Sequence, residues 1–296
     1  MTASLEAIVR RLSEASVDGT NAYRDIAWDA PENSIWSHDP RWILPEWEVL
    51  GSSEWYRDQS VEVRARIGLE RTAAFMRTGV DFESGLIAGL IVYATSLPNT
   101  DPRFRYVYHE IAEETQHSLM FQEFVNRSGC DPVHSVTATL DGATAELARE
   151  LPALFFLQVL AGEEPIDFIQ RRWLAGRAER HPLLERINRV HCADEARHIS
   201  FARATVRGVV EQLSADQRRR VRYQAPLTVT RFACHMLLPV PPQLVRWGVP
   251  EGVQRDLAKG PVMKRLVWEC TARTAGLCRE MGLVDDRTAC LWPADP

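Results

Sequence analysis

The pattern Glu-x30-Glu-x2-His occurs twice in this 296-residue chain, and the two copies stand 81 residues apart in strict register. Glu83, Glu114 and His117 form the first copy, and Glu164, Glu195 and His198 form the second. Within each copy the Glu-x-x-His pair places a carboxylate and an imidazole on one face of a helix, because residues i and i+3 are neighbours on the helix surface. The 31-residue step between the two glutamates is what a chain needs to leave one helix, turn, and return along the next to the same height. Two such hairpins bring four carboxylates and two imidazoles to one level of a bundle. A single Glu-x-x-His arises by chance on many solvated helices. The duplication argues against that reading, and a merely structural core holding so many unpaired ionisable groups would be costly.

The register also chooses among neighbouring acids. Glu163 maps back onto Phe82 and Glu70 maps forward onto Leu151, so Glu83 and Glu164 are the expected upstream carboxylates. Helix lengths leave room for Glu70 or Glu163 to substitute. Apolar spacing predicts an all-α chain with core helices near 80–97, 103–126, 146–175 and 183–212, preceded by a helical stretch from Gln59. One Glu from each of two helices and a Glu-x-x-His from each of the other two is the ligand arrangement of ferritin-like dimetal bundles. The expected organisation is a single domain over 1–296. It comprises an irregular arm (1–58) rich in Pro and Trp, a metal-binding bundle (59–212) and C-terminal helices (213–296).

Offsets of 0, +4 and +7 stay within about 60° on a helix, so His191, Glu195 and His198 share a face. His191 then has two readings, a third imidazole for the metals or a core histidine one turn above them. Its register counterpart is Glu110, an expected outer acceptor or additional ligand. Glu113 and Asp194 also correspond and lie off the ligand face. From there they can reach an imidazole on the facing helix, with Arg197 balancing the charge. Carboxylates and imidazoles without thiolate suit two iron ions, and manganese also satisfies such a set. Iron is preferred because open Fe(II) positions bind O2.

The sequences EETQH and HCADEARH, with an isolated upstream glutamate, resemble the non-haem diiron N-oxygenases typified by p-aminobenzoate N-oxygenase. The resemblance covers roughly residues 60–212. It implies a third histidine ligand in a His-x3-Glu-x2-His run. The implied ligand and catalytic set is therefore Glu83, Glu114, His117, Glu164, His191, Glu195 and His198. It also implies O2-dependent oxidation of an (aryl)amine toward hydroxylamine, nitroso or nitro products in antibiotic or other secondary-metabolite biosynthesis, and a homodimer. A diiron hydroxylase or desaturase acting at carbon, and a ferritin-like iron-oxidising or storage protein, are the competing readings.

Composition narrows the partners. A net charge of −5 gives no sign of nucleic-acid binding. The N-terminal stretch has no apolar core of signal-peptide length, and no apolar run of 18 residues exists, so a cytoplasmic protein off the membrane is expected. The six cysteines form no CxxC pair and read as free thiols, with Cys192 in packing. No nucleotide loop or cysteine cluster is present, so electrons must come from a separate reductase, ferredoxin or small molecule. Phe155, Phe156, Trp173, Phe201 and Phe232 read as core before substrate box. Tyr93, Arg231 and His235 are weaker pocket candidates.

Overall fold

Capping chemistry delimits the helices. In the computed structural model, which describes residues 3–19, 21–132, 143–176 and 179–295, the chain is helical, with no strand among the described residues. The helices are α1 (Ala3–Val17), α2 (Glu54–Arg57), α3 (Val61–Thr95), α4 (Pro102–Ser128), α5 (Ala143–Glu150), α6 (Pro152–Ala175), α7 (Pro182–Val210), α8 (Ala215–Leu237), α9 (Pro241–Arg246), α10 (Glu251–Lys259) and α11 (Pro261–Glu280). Ser60 caps α3 through the Val63 N–H. Asp101 caps α4 through the Arg103 N–H ahead of Pro102, and Gly129, at φ 64°, ends that helix in the left-handed region. Pro152 and Pro182 open α6 and α7 at positions where no amide is needed. No helix among the described residues is long and apolar enough to cross a membrane.

The ferritin-like bundle is built from two antiparallel hairpins, α3–α4 and α6–α7. Two differences from the sequence expectation concern its edges. The segment before residue 80 and the helix after it are one 35-residue rod, α3. Gly79 lies within it unbroken, and the Phe121 ring of α4 packs on its bare Cα. The arm is not wholly irregular either: Leu5, Val9 and Leu12 repeat at helical spacing and bury as one stripe of α1 against α4 and α7. Beyond α1, the arm inserts Trp42 between Phe124, edge-on at 5.8 Å, and His181, stacked at 4.3 Å.

Two reciprocal contacts hold α3 close to α6. The Phe82 ring of α3 occupies the space a Cβ would take at Gly162, and the Phe155 ring of α6 does the same at Gly89. Both pairs step seven residues, so the helices meet twice at one spacing. The C-terminal helices close the other side: α8 and α11 pack on α6 and on each other. Buried Arg71 ties three segments together, meeting Glu48 of the arm at 3.1 Å and donating to the carbonyls of Met236 and Leu237 that end α8.

Candidate metal centre

Glu83 on α3, Glu114 and His117 on α4, Glu163 on α6, and His191, Glu195 and His198 on α7 converge in the middle of the bundle. All are buried. Ligating atoms of Glu83, His117, His191 and Glu195 lie within 4.8 Å of one another, as do those of Glu114, His117, Glu195 and His198, and those of Glu83, Glu114 and Glu163. Glu114 bridges the two halves, reaching His117 Nδ1 at 2.8 Å and His198 Nδ1 at 2.7 Å. Glu195 lies 3.6 Å from both of those nitrogens and 3.2 Å from His191 Nε2.

The imidazoles are held from outside. His117 Nε2 meets Asp194 at 3.1 Å, and His198 Nε2 meets Glu113 at 2.7 Å. Arg197 donates to both acids, at 2.6 Å to Asp194 and 2.8 Å to Glu113. A carboxylate behind each ring fixes its tautomer and turns Nδ1 toward the cluster. His191 is oriented the opposite way: Nδ1 faces the Gln170 carboxamide oxygen at 2.8 Å, so Nε2 points inward.

One expected ligand goes elsewhere. Glu164 turns away from the cluster, accepts from Thr274 of α11 at 2.6 Å and meets Arg203 at 3.3 Å. Its predecessor Glu163 stands in the cluster in its place, with neither oxygen hydrogen-bonded. The structure thus turns Glu163, the alternative the register left open, rather than Glu164 toward the cluster. The reason is local: Gly162 faces the Phe82 ring, which fixes the side of α6 that looks at α3, and Glu164 lies about 100° further round than Glu163. Glu70, the other alternative, accepts from Trp247 and Arg66 outside the cluster. Glu110 is buried one turn before Glu114 with both oxygens unpartnered, and is not among the converging groups.

The charges fit cations. Burial raises Glu83 well above the ordinary carboxylate range, and the charges of Glu114 and Glu195 add to it. Burial also lifts Glu195 and Glu110. Burial acts the same way on Glu114, but His198 and His117 outweigh it and hold that carboxyl well below its usual value. Against the same desolvation, Glu114 and Asp194 lift His117 to about 9. His191 is pushed well down by burial and by His117. Protons here do the work of missing positive charge. Oxygens of Glu83, Glu163 and Glu195, with His191 Nε2, have no hydrogen-bond partner. Four carboxylates cancel the charge of two divalent ions, and hard oxygen and imidazole donors without thiolate suit iron or manganese. The donor set fits a dinuclear centre.

Gln170 was not visible from the sequence, since a carboxamide carries no ligand signal of its own. The aromatic candidates are mainly packing: Phe201 sits 4.5 Å from Tyr106 and 5.6 Å from Phe156, and Phe232 lies edge-on to Phe82 at 6.0 Å. The Tyr93 hydroxyl accepts from Arg103 at 3.1 Å. The Cys192 thiol contacts Gln170 Oε1 at 3.6 Å, outside the cluster.

Comparison with known proteins supplies the family. Residues 2–282 match the model of the family described as p-aminobenzoate N-oxygenase AurF. An uncharacterized protein of Mycobacterium bovis is 39% identical over 288 residues, covering 95% of this chain and 84% of that relative. An uncharacterized protein of Mycobacterium tuberculosis matches with the same identity and coverage.

Proposed function

We propose, from the premise that this chain belongs to the p-aminobenzoate N-oxygenase AurF family, that it is an O2-dependent diiron N-oxygenase acting on an aryl or related amine. The family is one of diiron oxygenases, and this chain has buried carboxylate–histidine clusters able to bind metal. The single observation that carries the reading is the convergence of four carboxylates and three imidazoles, from four helices, on one buried volume, with oxygens of Glu83, Glu163 and Glu195 left without a hydrogen-bond partner. In this reading Glu83, Glu114, His117, Glu163, His191, Glu195 and His198 hold two iron ions. Iron bound there supplies the electrons and open coordination positions needed to reduce O2 and transfer one oxygen atom to nitrogen.

The protein's own contribution is charge, orientation and dryness. Glu114, shared between His117 and His198, fixes the distance between the two halves. Asp194 and Glu113 lock two imidazoles, Gln170 locks the third, and Arg197 keeps both outer acids ionised. Packing around the cluster keeps bulk water from quenching the chemistry. The electrons for turnover come from an external donor, and the protein acts as a homodimer in secondary metabolism. Iron content, O2 consumption by the reduced protein and mass spectrometry over an arylamine panel test the proposal. Two irons per chain with +16 mass products on amine nitrogen are expected. Oxidation only at carbon, or iron uptake far beyond two per chain, would overturn it.

A further inference from the structure

Glu110 is a fully buried acid with no part in the chemistry described so far. Neither of its oxygens has a hydrogen-bond partner, and it is not among the groups that converge for metal binding. Its place on α4 is informative. Pro102, Tyr106, Glu110 and Glu114 follow one another at four-residue steps, about 6 Å of helix axis each. The inner end of this stripe is Glu114, in the cluster. The outer end is Pro102, which with Arg105 lines an open polar groove of about 430 Å³ between α1 and α4.

Two hydroxyls accompany Glu110. Tyr106 Oη is buried without a partner, and so is Thr205 Oγ1 of α7. The antiparallel register in which His117 meets Asp194 and Glu113 meets His198 sets Tyr106 opposite Thr205. The Tyr106 ring packs at 4.5 Å on Phe201, one turn before Thr205. Thr72 donates back to its own helix, as threonines in helices often do, but Thr205 does not. Leaving such groups unsatisfied inside a protein is strongly unfavourable. An ordered water needs roughly two to four polar partners, and these side chains supply them. Burial raises Glu110 well above the carboxylate range and Tyr106 well above its own, so each keeps its proton.

We propose that Glu110 is the proton donor to the metal centre, and that water held by Tyr106 and Thr205 returns its proton from the groove at Pro102 and Arg105. The need for a donor rests on the oxygenase reading. Adding one oxygen atom to an amine consumes O2, two electrons from the external donor and two protons. The O–O bond breaks, an N–O bond forms, and the other oxygen leaves as water. Both protons must enter a buried site. Glu110 gives up a proton and takes one back from the water beside it, so the acid is restored for the next transfer.

Infrared difference spectra of Mn(II)-loaded protein test this without turnover. Wild type minus Glu110→Gln, a nearly isosteric variant without the acid, is expected to show the carbonyl stretch of one protonated carboxyl group, with metal content unchanged. In D2O that band should shift, and Tyr106→Phe should slow the shift at least ~10-fold. In single turnovers of the iron-loaded, reduced protein with O2 and the arylamine panel, Glu110→Gln should slow product formation ~100-fold, the scale of one general acid. Glu110→Asp, which keeps the acid on a shorter stem, should lose at most ~10-fold. No such band, loss of metal in Glu110→Gln, a wild-type rate in that variant, or unchanged exchange in Tyr106→Phe would overturn the proposal. If Glu110→Gln does not fold, the exchange in Tyr106→Phe decides. A protein that oxidises no amine fails the oxygenase reading, and the infrared spectra still decide whether Glu110 holds an exchangeable proton.

Discussion

The α3–α4 hairpin brings Glu83, Glu114 and His117 to the centre, while the α6–α7 hairpin brings Glu163, Glu195, His198 and a further imidazole, His191. Where the halves agree, the agreement extends past the inward-facing groups: Asp194 stands behind His117 as Glu113 stands behind His198, each acid 81 residues from its counterpart. Where they differ, they differ in pairs. Position 110 is an unpartnered glutamate and position 191 a histidine, and the residue 81 before Gln170 is Gly89, filled by the Phe155 ring. The second half thus has a polar outer layer behind its extra imidazole, and the first half has an aromatic plug. A duplicated frame carrying one asymmetric imidazole would make two metal positions in this cluster chemically unequal.

The sharpest break between the halves is at Glu163 and Glu164, and it gives the largest expected effect. Glu163→Ala should lower metal affinity by more than the ~10–100-fold that an outer partner costs, whereas Glu164→Ala should still bind two ions per chain. Glu164→Ala should instead lower the melting temperature, because it releases Thr274 and Arg203. Equilibrium dialysis and calorimetry separate the outcomes, and a reversal of roles would return the ligand to the position that strict register chose.

Most of the site was legible because helical spacing is a property of the chain itself. The two Glu-x-x-His pairs, the face shared by His191, and the outer acids all follow from about 100° per residue. Glu164 departs from the register expectation because strict repetition assumes two equivalent halves, and α11, which packs on α6, supplies Thr274 as a partner there. Gln170 was missed because its importance lies in what it touches. In the fold, the bundle helices were readable from apolar periodicity. The continuity of α3 through Gly79 was not, because the glycine reads as a break in the sequence, whereas the Phe121 ring that packs on it comes from another helix.

The symmetric part of the comparison predicts matched effects. Asp194→Asn and Glu113→Gln should each weaken metal binding by roughly 10-fold, by nearly equal amounts, since each removes one carboxylate from behind one imidazole. A tenfold disparity would show that the halves are not equivalent even at this layer. The reciprocal packing gives a smaller pair. Gly162→Ala and Gly89→Ala each force a methyl group against a ring and should cost ~1–3 kcal/mol in chemical denaturation. Gly162→Ala should also weaken metal binding, since Glu163 follows it directly.

The smallest expected effect is one of pH. His117 is raised to about 9 in the folded, metal-free protein, so its contribution to stability is full below about 6.5 and is lost as pH rises through 9. Glu83 and Glu195, raised by burial, act in the same direction, because ionising them inside the protein is unfavourable. The melting temperature of metal-free protein should therefore fall from pH 7 to 9. Metal uptake should release protons at pH 7, so metal affinity should rise with pH over the same window. A metal-free protein that gains stability across this range would contradict the charge balance described for the cluster.

Iron-edge anomalous diffraction from crystals of the iron-loaded protein tests the central claim most directly. The account predicts two peaks about 3.5–4 Å apart between α3, α4, α6 and α7. An oxygen of Glu163 should lie within bonding distance of one peak, His191 Nε2 should also be bound, and Glu164 should remain on Thr274. A single peak, peaks outside the four helices, or Glu164 bound in place of Glu163 would contradict it.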